Sequence, residues 1–225
     1  YGYRSGLNRS MVNHLHGKVE KILKSVELKR GDLIIDIGSN DSTTLQAYPH
    51  DDLSLVGIDP TGAKFQSYYP AHVQLLPDFF SIELVRKHFG EKRAKIVTSF
   101  SMFYDLEQPL AFMRQVHEIL DERGIWVFEQ SYMPTMLELD SYDTICQEHL
   151  EYYGLKQVKW MADRAGLRII DIEMNDINGG SFSVTVAKVD APYATAPNLG
   201  ALLDAEASRG LDGLGPFLAF SKRVE

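Results

Sequence analysis

The sequence predicts an α/β fold: a seven-stranded, mostly parallel sheet with an antiparallel last strand and helices on both faces. Three observations predict it. Near-continuous apolar runs that stop at Gly, Asp or Pro, such as DLIIDIGS and LSLVGIDP, read as strands buried on both faces. These runs alternate with stretches of helical periodicity, the rhythm of strand–helix–strand crossovers in a parallel sheet. The last two apolar runs are joined only through NDINGG, which implies a hairpin and not another crossover.

The elements follow in order. MVNHLHGKVEKILKSV places Met11, Val12, Leu15, Val19, Ile22, Leu23 and Val26 at helical spacing, with Asn8 or Ser10 as cap. DLIIDIGS is the first strand, LSLVGIDP the second and HVQLLPD the third. SIELVRKHFG is a helix capped by Ser81, with Gly90 past its end. AKIVTSFSMF is the fourth strand. QPLAFMRQVHEIL is a helix with Pro109 in its first turn, where the missing N–H costs nothing. GIWVFEQSY is the fifth strand, followed by about twenty mostly irregular residues. The helix GLKQVKWMADRAG, closed by Gly166, leads to the hairpin strands LRIIDIEM and SFSVTVAKV. From Asp190 onward a linker runs into a helix. The expected organisation is residues 1–30 as an arm and helix, 31–190 as the cofactor-binding domain, and 191–225 as a linker and the start of a further, truncated domain.

Composition narrows the function. The 225 residues are 44% hydrophobic and 24% charged, ordinary globular material, and the net charge of −8 argues against a nucleic-acid-binding surface. No apolar run approaches the roughly 18 residues of a membrane span. The single Cys146 excludes an internal disulfide and a multi-thiolate zinc site within these residues. His14, His16, His50, His72, His88 and His117 show no ligand-like grouping and no metal is expected. The setting expected is cytoplasmic, and the protein a monomer or weak dimer.

In open α/β sheets ligands sit beyond the carboxyl ends of the strands. The first strand ends DIGSND, where Asp36 enters the turn and Gly38 permits close backbone approach. Asp59, before Pro60, lies twenty-three positions after Asp36, a separation suited to an acid that takes a ribose diol. Asp78 after the third strand is placed to accept from an adenine amino group, with Phe79 or Phe80 against the ring. The glycine-rich dinucleotide fingerprint is absent, because Asn40 and Ser42 stand where glycines would continue. Asn40 tolerates the left-handed conformation such a turn needs, and Ser42 less so. A pyrophosphate cradle is therefore poorly supported, and S-adenosylmethionine (SAM), which has no phosphate, suits the site better than NAD. Ser99 and Ser101 end the fourth strand beside the expected methionine moiety.

Several motifs together, YGYRSGLN, DIGSNDS, GIDP, SFSMFYDLEQP, EQSYMP, YDTICQEHLEYYGL and NDINGGSF, resemble the SAM-dependent sugar C-methyltransferases of antibiotic deoxysugar pathways. The resemblance runs from Tyr1 to about Val189. It implies the Rossmann-like class I methyltransferase fold, SAM as cofactor with S-adenosylhomocysteine as product, and a TDP-linked 4-keto-deoxysugar as acceptor. It also implies a cysteine-ligated zinc domain, of which nothing is present in these residues, and a C-terminal domain that helps hold the nucleotide. Zinc is expected only in such a further region. Tyr1 or Tyr3 would lie over the cofactor as a lid. Ser42 departs from the glycine usual in the family's loop.

Methylation at a carbon beside a ketone requires removal of an α-proton and an enolate held while it attacks the sulfonium methyl. A base titrating near working pH favours His, and donors must meet the developing oxyanion. QEHLEYY supplies His149 as base, Glu148 as orienter or second acid–base group, and Tyr152 or Tyr153 as donors. The resemblance agrees, since the family's catalytic Glu-His pair falls on Glu148 and His149, while Cys146 stands where some relatives carry a tyrosine. His149 could also polarise the ketone while another group removes the proton. Tyr104, Glu129 and Asn178 are candidate acceptor contacts, and Gln130 could face cofactor or acceptor. Two rivals stand beside this reading: an O- or N-methyltransferase of the same fold, and a SAM-binding domain without activity.

Overall fold

A computed structural model describes residues 3–49 and 52–225. Its elements are α1 (Arg9–Ser25), β1 (Leu33–Ile37), β2 (Ser54–Ile58), the single turn α2 (Gly62–Phe65), β3 (Val73–Leu76), α3 (Ile82–Phe89), β4 (Ala94–Phe100), α4 (Pro109–Ile119), β5 (Leu120–Ser131), α5 (Met133–Glu138), α6 (Leu155–Arg164), β6 (Leu167–Asn175), β7 (Ser181–Lys188), α7 (Leu199–Ser208) and α8 (Gly215–Val224). The seven strands form one sheet in the order β3-β2-β1-β4-β5-β7-β6. β1 runs parallel to β2 and to β4, and β2 parallel to β3. β6 and β7 pair antiparallel from Leu167 opposite Lys188 to Asn175 opposite Ser181. The expected strands, crossovers and closing hairpin are therefore all present.

The chain divides into two compact units, Tyr1–Ser99 with Glu118–Trp126, and Phe100–His117 with Val127–Glu225. In the first, every residue of β1 is buried, Asp36 included, as a near-continuous apolar run demands of a strand covered on both faces. α1 starts at Asn8, whose side chain accepts from the Ser10 N–H, and buries Leu15, Val19 and Ile22, one stripe at helical spacing. Ser81 caps α3 by accepting from the Leu84 N–H at 3.1 Å. Trp126, fully buried, donates its indole N–H to Ser99 Oγ at 2.9 Å.

The second unit is organised by aromatic rings. Phe103 lies 5.2 Å from Phe128, 5.5 Å from Tyr153 and 6.1 Å from Phe112, centroid to centroid. Two features differ from expectation. β5 begins at Leu120, four residues before Gly124, and the stretch after it holds the short helix α5. Pro134 sits in the first turn of α5, where a proline costs no hydrogen bond. Beyond residue 190, α7 and α8 pack on this unit. Phe220 of α8 joins Met133, Met136 and Leu137 of α5 in one apolar cluster. Glu206 of α7, buried, accepts from the N–H groups of Leu155 (2.5 Å) and Lys156 (2.9 Å) and from the hydroxyl of Tyr132 (2.7 Å). It caps the positive end of α6 from another helix. Among the described residues no helix is long and apolar enough to cross a membrane.

Candidate active site

In the first unit the turn after β1 is held by a closed set of hydrogen bonds. Gly38, at φ +74°, donates its N–H to the Ile58 carbonyl at 2.8 Å and so begins the turn in a conformation that suits glycine. Asn40 and Ser42 follow at φ +48° and +63°. The Asn40 N–H donates to Asp59 Oδ2 at 2.8 Å, and the hydroxyl of Tyr69 donates to its carbonyl at 2.9 Å. Since that carbonyl takes the tyrosine proton, the 2.8 Å contact between Tyr69 and Ser39 is donated by Ser39. Ser42 is completely buried, a costly conformation for a residue with a Cβ. Its hydroxyl offsets this by donating to the Tyr68 carbonyl and accepting from Gln46.

The acidic residues of the turn are buried and engaged. Asp36 Oδ1 accepts from the Thr98 hydroxyl at 2.6 Å, and loss of solvation pushes its carboxyl up to about 7 against that bond and one from Thr44. The charge of Asp59 adds to the rise. Asp59 Oδ1 accepts from the Thr61 N–H (2.6 Å) and hydroxyl (2.7 Å). A carboxylate offers about four lone-pair sites, so with three donors already in place Asp59 keeps one, on Oδ2, for a single hydroxyl of a diol. Asp41 Oδ2 accepts from the Gly6 N–H at 2.9 Å, with the Arg4 guanidinium 3.5 Å away and lying 4.0 Å over the Tyr68 ring. The side chain of Asn40 accepts from the Ser5 N–H and donates to the Tyr3 carbonyl. The arm is thus fastened to the turn at four residues. Tyr3 is half exposed, and Tyr1 lies outside the described residues, as does His50.

Other expected cofactor contacts are less engaged. Pro60 is exposed beside Asp59. Asp78 is exposed and accepts from the N–H of Phe79, whose ring is 75% exposed. Ser99 is fully buried and its hydroxyl oxygen accepts from the Trp126 indole N–H. The turn therefore presents carboxylates, the N–H groups of Gly38 and Asn40 being donated to Ile58 and Asp59, while the guanidinium that reaches it is held by Asp41. That donor set fits a cationic, hydroxyl-bearing cofactor without phosphate, as SAM is.

In the second unit the structure gathers residues from two segments around His149. Its Nδ1 lies 2.8 Å from the Thr144 carbonyl oxygen, its ring centroid 4.2 Å from that of Tyr104. The Tyr104 carbonyl accepts from the N–H groups of Leu150 (3.0 Å) and Glu151 (3.1 Å), which pins the two segments together. Asp105 adjoins. Desolvation pushes its carboxyl up to about 6, with the imidazole of His149 opposing the rise and Glu148 adding to it. Glu148 is exposed, and the hydrogen bond that orients the imidazole comes from Thr144. The Tyr152 hydroxyl reaches the same carbonyl at 3.4 Å. Glu129 is buried and accepts from Asn175 Nδ2 at 2.8 Å. Asn178 is exposed at φ +53°, in the left-handed conformation its Asn-Gly turn requires. Ser101, also left-handed at +53°, donates its N–H to the Glu129 carbonyl. Cys146 is exposed. No group of three or more potential metal ligands occurs among the described residues.

Sequence reasoning did not single out Asp41, Tyr69, Asp105, Thr144 or Asn175. Asp105 and Asp41 each stand next to a residue that was noted, which is the signal that could have raised them. The partnership of Thr144 is a backbone contact and has no signature in residue type.

Comparison with known proteins agrees with the fold and with SAM-dependent methyl transfer. The family described as Methyltransferase domain matches residues 9–172. The C-methyltransferase NovU of Streptomyces niveus is 26% identical over 232 residues, covering all of this chain and 54% of that protein. The chain thus spans about half the length of this curated relative. Among solved structures, a putative methyltransferase in complex with the Haloferax volcanii Trm112 activator superposes with a TM-score of 0.64 at 13% identity, over 81% of this chain and 94% of that one. LepI, solved in complex with SAM, gives 0.58 at 16% identity, over 76% and 46%. At these identities the two structures report the fold alone.

Proposed function

The chain belongs to the methyltransferase domain family, and from that premise we propose that it methylates the carbon next to the ketone of a TDP-linked 4-keto-deoxysugar, through an enolate. That the enzyme is a SAM-dependent methyltransferase follows from the family and the class I fold. The choice of carbon as the methylated atom is supported by the C-methyltransferase relative and by the state of His149.

That state is the observation that carries the reading. A carbonyl oxygen only accepts, so the neutral ring bears its proton on Nδ1 and its lone pair on Nε2. Nε2 takes the α-proton. The C–H electron pair becomes the enolate, whose carbon then forms the new C–CH3 bond, leaving S-adenosylhomocysteine. The Asp105 carboxylate supports the imidazolium formed, Tyr104 holds the ring in place, and Glu148 exchanges the proton with solvent. Tyr153 donates to the enolate oxygen, or Tyr152 once its proton leaves the Thr144 carbonyl. Bound SAM supplies the electrophilic methyl. Asp36 with the backbone of Gly38 and Asn40 would hold its methionine part, Asp59 the ribose and the Asp78–Phe79 corner the adenine, with Tyr3 on the fastened arm. Glu129 and Asn178 remain candidate acceptor contacts. A cytoplasmic monomer or weak dimer acting on a small molecule belongs to the same proposal.

Proton NMR of the protein with SAM and a TDP-4-keto-6-deoxysugar in D2O tests it. A new methyl resonance, or loss of one α-proton signal, is expected and identifies the reacting carbon. SAM binding with neither change would overturn carbon methylation of this acceptor and favour an O- or N-methyltransferase.

A further inference from the structure

Glu129 and Gln130 end β5 side by side and, on a strand, face opposite ways. Glu129 is hydrogen-bonded to Asn175. Gln130 is 1% exposed, and neither its amide oxygen nor its amide nitrogen has a hydrogen-bond partner among the described residues. The same holds for the hydroxyl of Tyr153, which is 5% exposed. Gln130 shares its face of β5 with Phe128, and the ring of Phe103 bridges Phe128 and Tyr153 at 5.2 and 5.5 Å. The Tyr153 carbonyl accepts from the Met133 N–H at 3.0 Å, three residues beyond Gln130. The segments that carry the two unpaired groups therefore lie side by side, and Tyr104, whose ring packs on that of His149, directly follows Phe103 in the chain.

Folded proteins pair nearly all their buried polar groups, because an unpaired one loses its hydration for nothing. Three such atoms together are what a ligand-binding surface looks like before the ligand supplies the partners. We propose that Gln130 and Tyr153 contact the acceptor, reading a carbonyl oxygen and a hydroxyl on the neighbouring carbon. The amide N–H of Gln130 and the Tyr153 hydroxyl donate to the carbonyl oxygen, and the Gln130 amide oxygen accepts from the hydroxyl. Burial raises the Tyr153 hydroxyl's pKa, so it stays protonated and able to donate. The choice of an α-hydroxyketone acceptor rests on the reading above; that the two side chains face a ligand does not.

Gln130→Met and Tyr153→Phe keep the shape of each side chain and remove the unpaired atoms. Without ligand, each variant should melt higher than the wild type, by about 2 °C or more, since the removed groups cost stability. A purely structural residue would change stability in the other direction. With TDP-4-keto-6-deoxyglucose in D2O, α-proton exchange should fall about 30-fold or more in each variant while the Kd for SAM stays unchanged. Lower melting in both, or exchange within about threefold of wild type, overturns the proposal. If the wild type exchanges no proton and the variants still melt higher, the acceptor class named above fails and the ligand-facing assignment stands. If neither variant melts higher, the assignment fails whatever the acceptor.

Discussion

His149 Nδ1 and the carbonyl oxygen of Thr144 stand 2.8 Å apart, and this one contact decides which ring nitrogen is basic. Replacing His149 by Asn retains a donor near the position of Nδ1 and removes the proposed base. α-Proton exchange should fall by about 100-fold or more, the usual contribution of a general base. SAM affinity, measured by calorimetry, should be unchanged.

Asp105 tests the electrostatics of the same cluster. Its carboxyl is pushed up to about 6, so in the wild type it becomes charged as pH rises through 6 and, in the proposed mechanism, would then support the imidazolium. Asp105→Asn should lower kcat/KM about fivefold at pH 8 and have little effect at pH 5, flattening the acid limb of the profile. An unchanged pH profile would separate Asp105 from catalysis.

Asp36 carries a stability prediction of definite sign. Its carboxyl is raised from 3.8 to about 7, so between these values the folded protein binds the proton that the unfolded chain has released. Stability due to this group is complete below pH 3.8 and is lost as pH rises to about 7. Denaturant unfolding from pH 4.5 to 8 should show the wild type weakening relative to Asp36→Asn across that window, with no further divergence above pH 8.

Gly6 is a matter of space. A Cβ there would sit 2.6 Å from Asp41 Oδ2 and 3.3 Å from Thr43 Oγ1. Gly6→Ala should detach the arm from the turn, raising KM for SAM about tenfold with kcat within twofold. Steady-state kinetics at saturating acceptor decide it.

Glu206 anchors α7 to α6 through a buried carboxylate with three donors. Glu206→Ala leaves two N–H groups and a tyrosine hydroxyl unpaired and should cost about 3 kcal/mol of unfolding free energy. Glu206→Gln, which retains both oxygen-side geometry and one acceptor, should cost less than half of that. Equal losses would mean that the charge, and not the shape, of Glu206 holds the helices together.

The sequence by itself determined the strands, the helices and their order, because these depend on periods of two and 3.6 residues that any short window displays. It determined the hairpin, since six residues of NDINGG cannot hold a crossover. It also marked the DIGSND turn and the Glu148–His149 pair by residue type. Tertiary structure alone decided which of these groups are charged, paired or free. Thr98 meets Asp36 across 62 residues of chain, Arg4 meets Asp41 across 37, and Glu206 meets Leu155 across 51. The burial that raises Asp36 and Asp105, and that leaves Gln130 without a partner, is a property of what surrounds a side chain in space. Local pattern carries no record of it, because hydrogen bonding and desolvation act over a few ångströms whatever the separation along the chain.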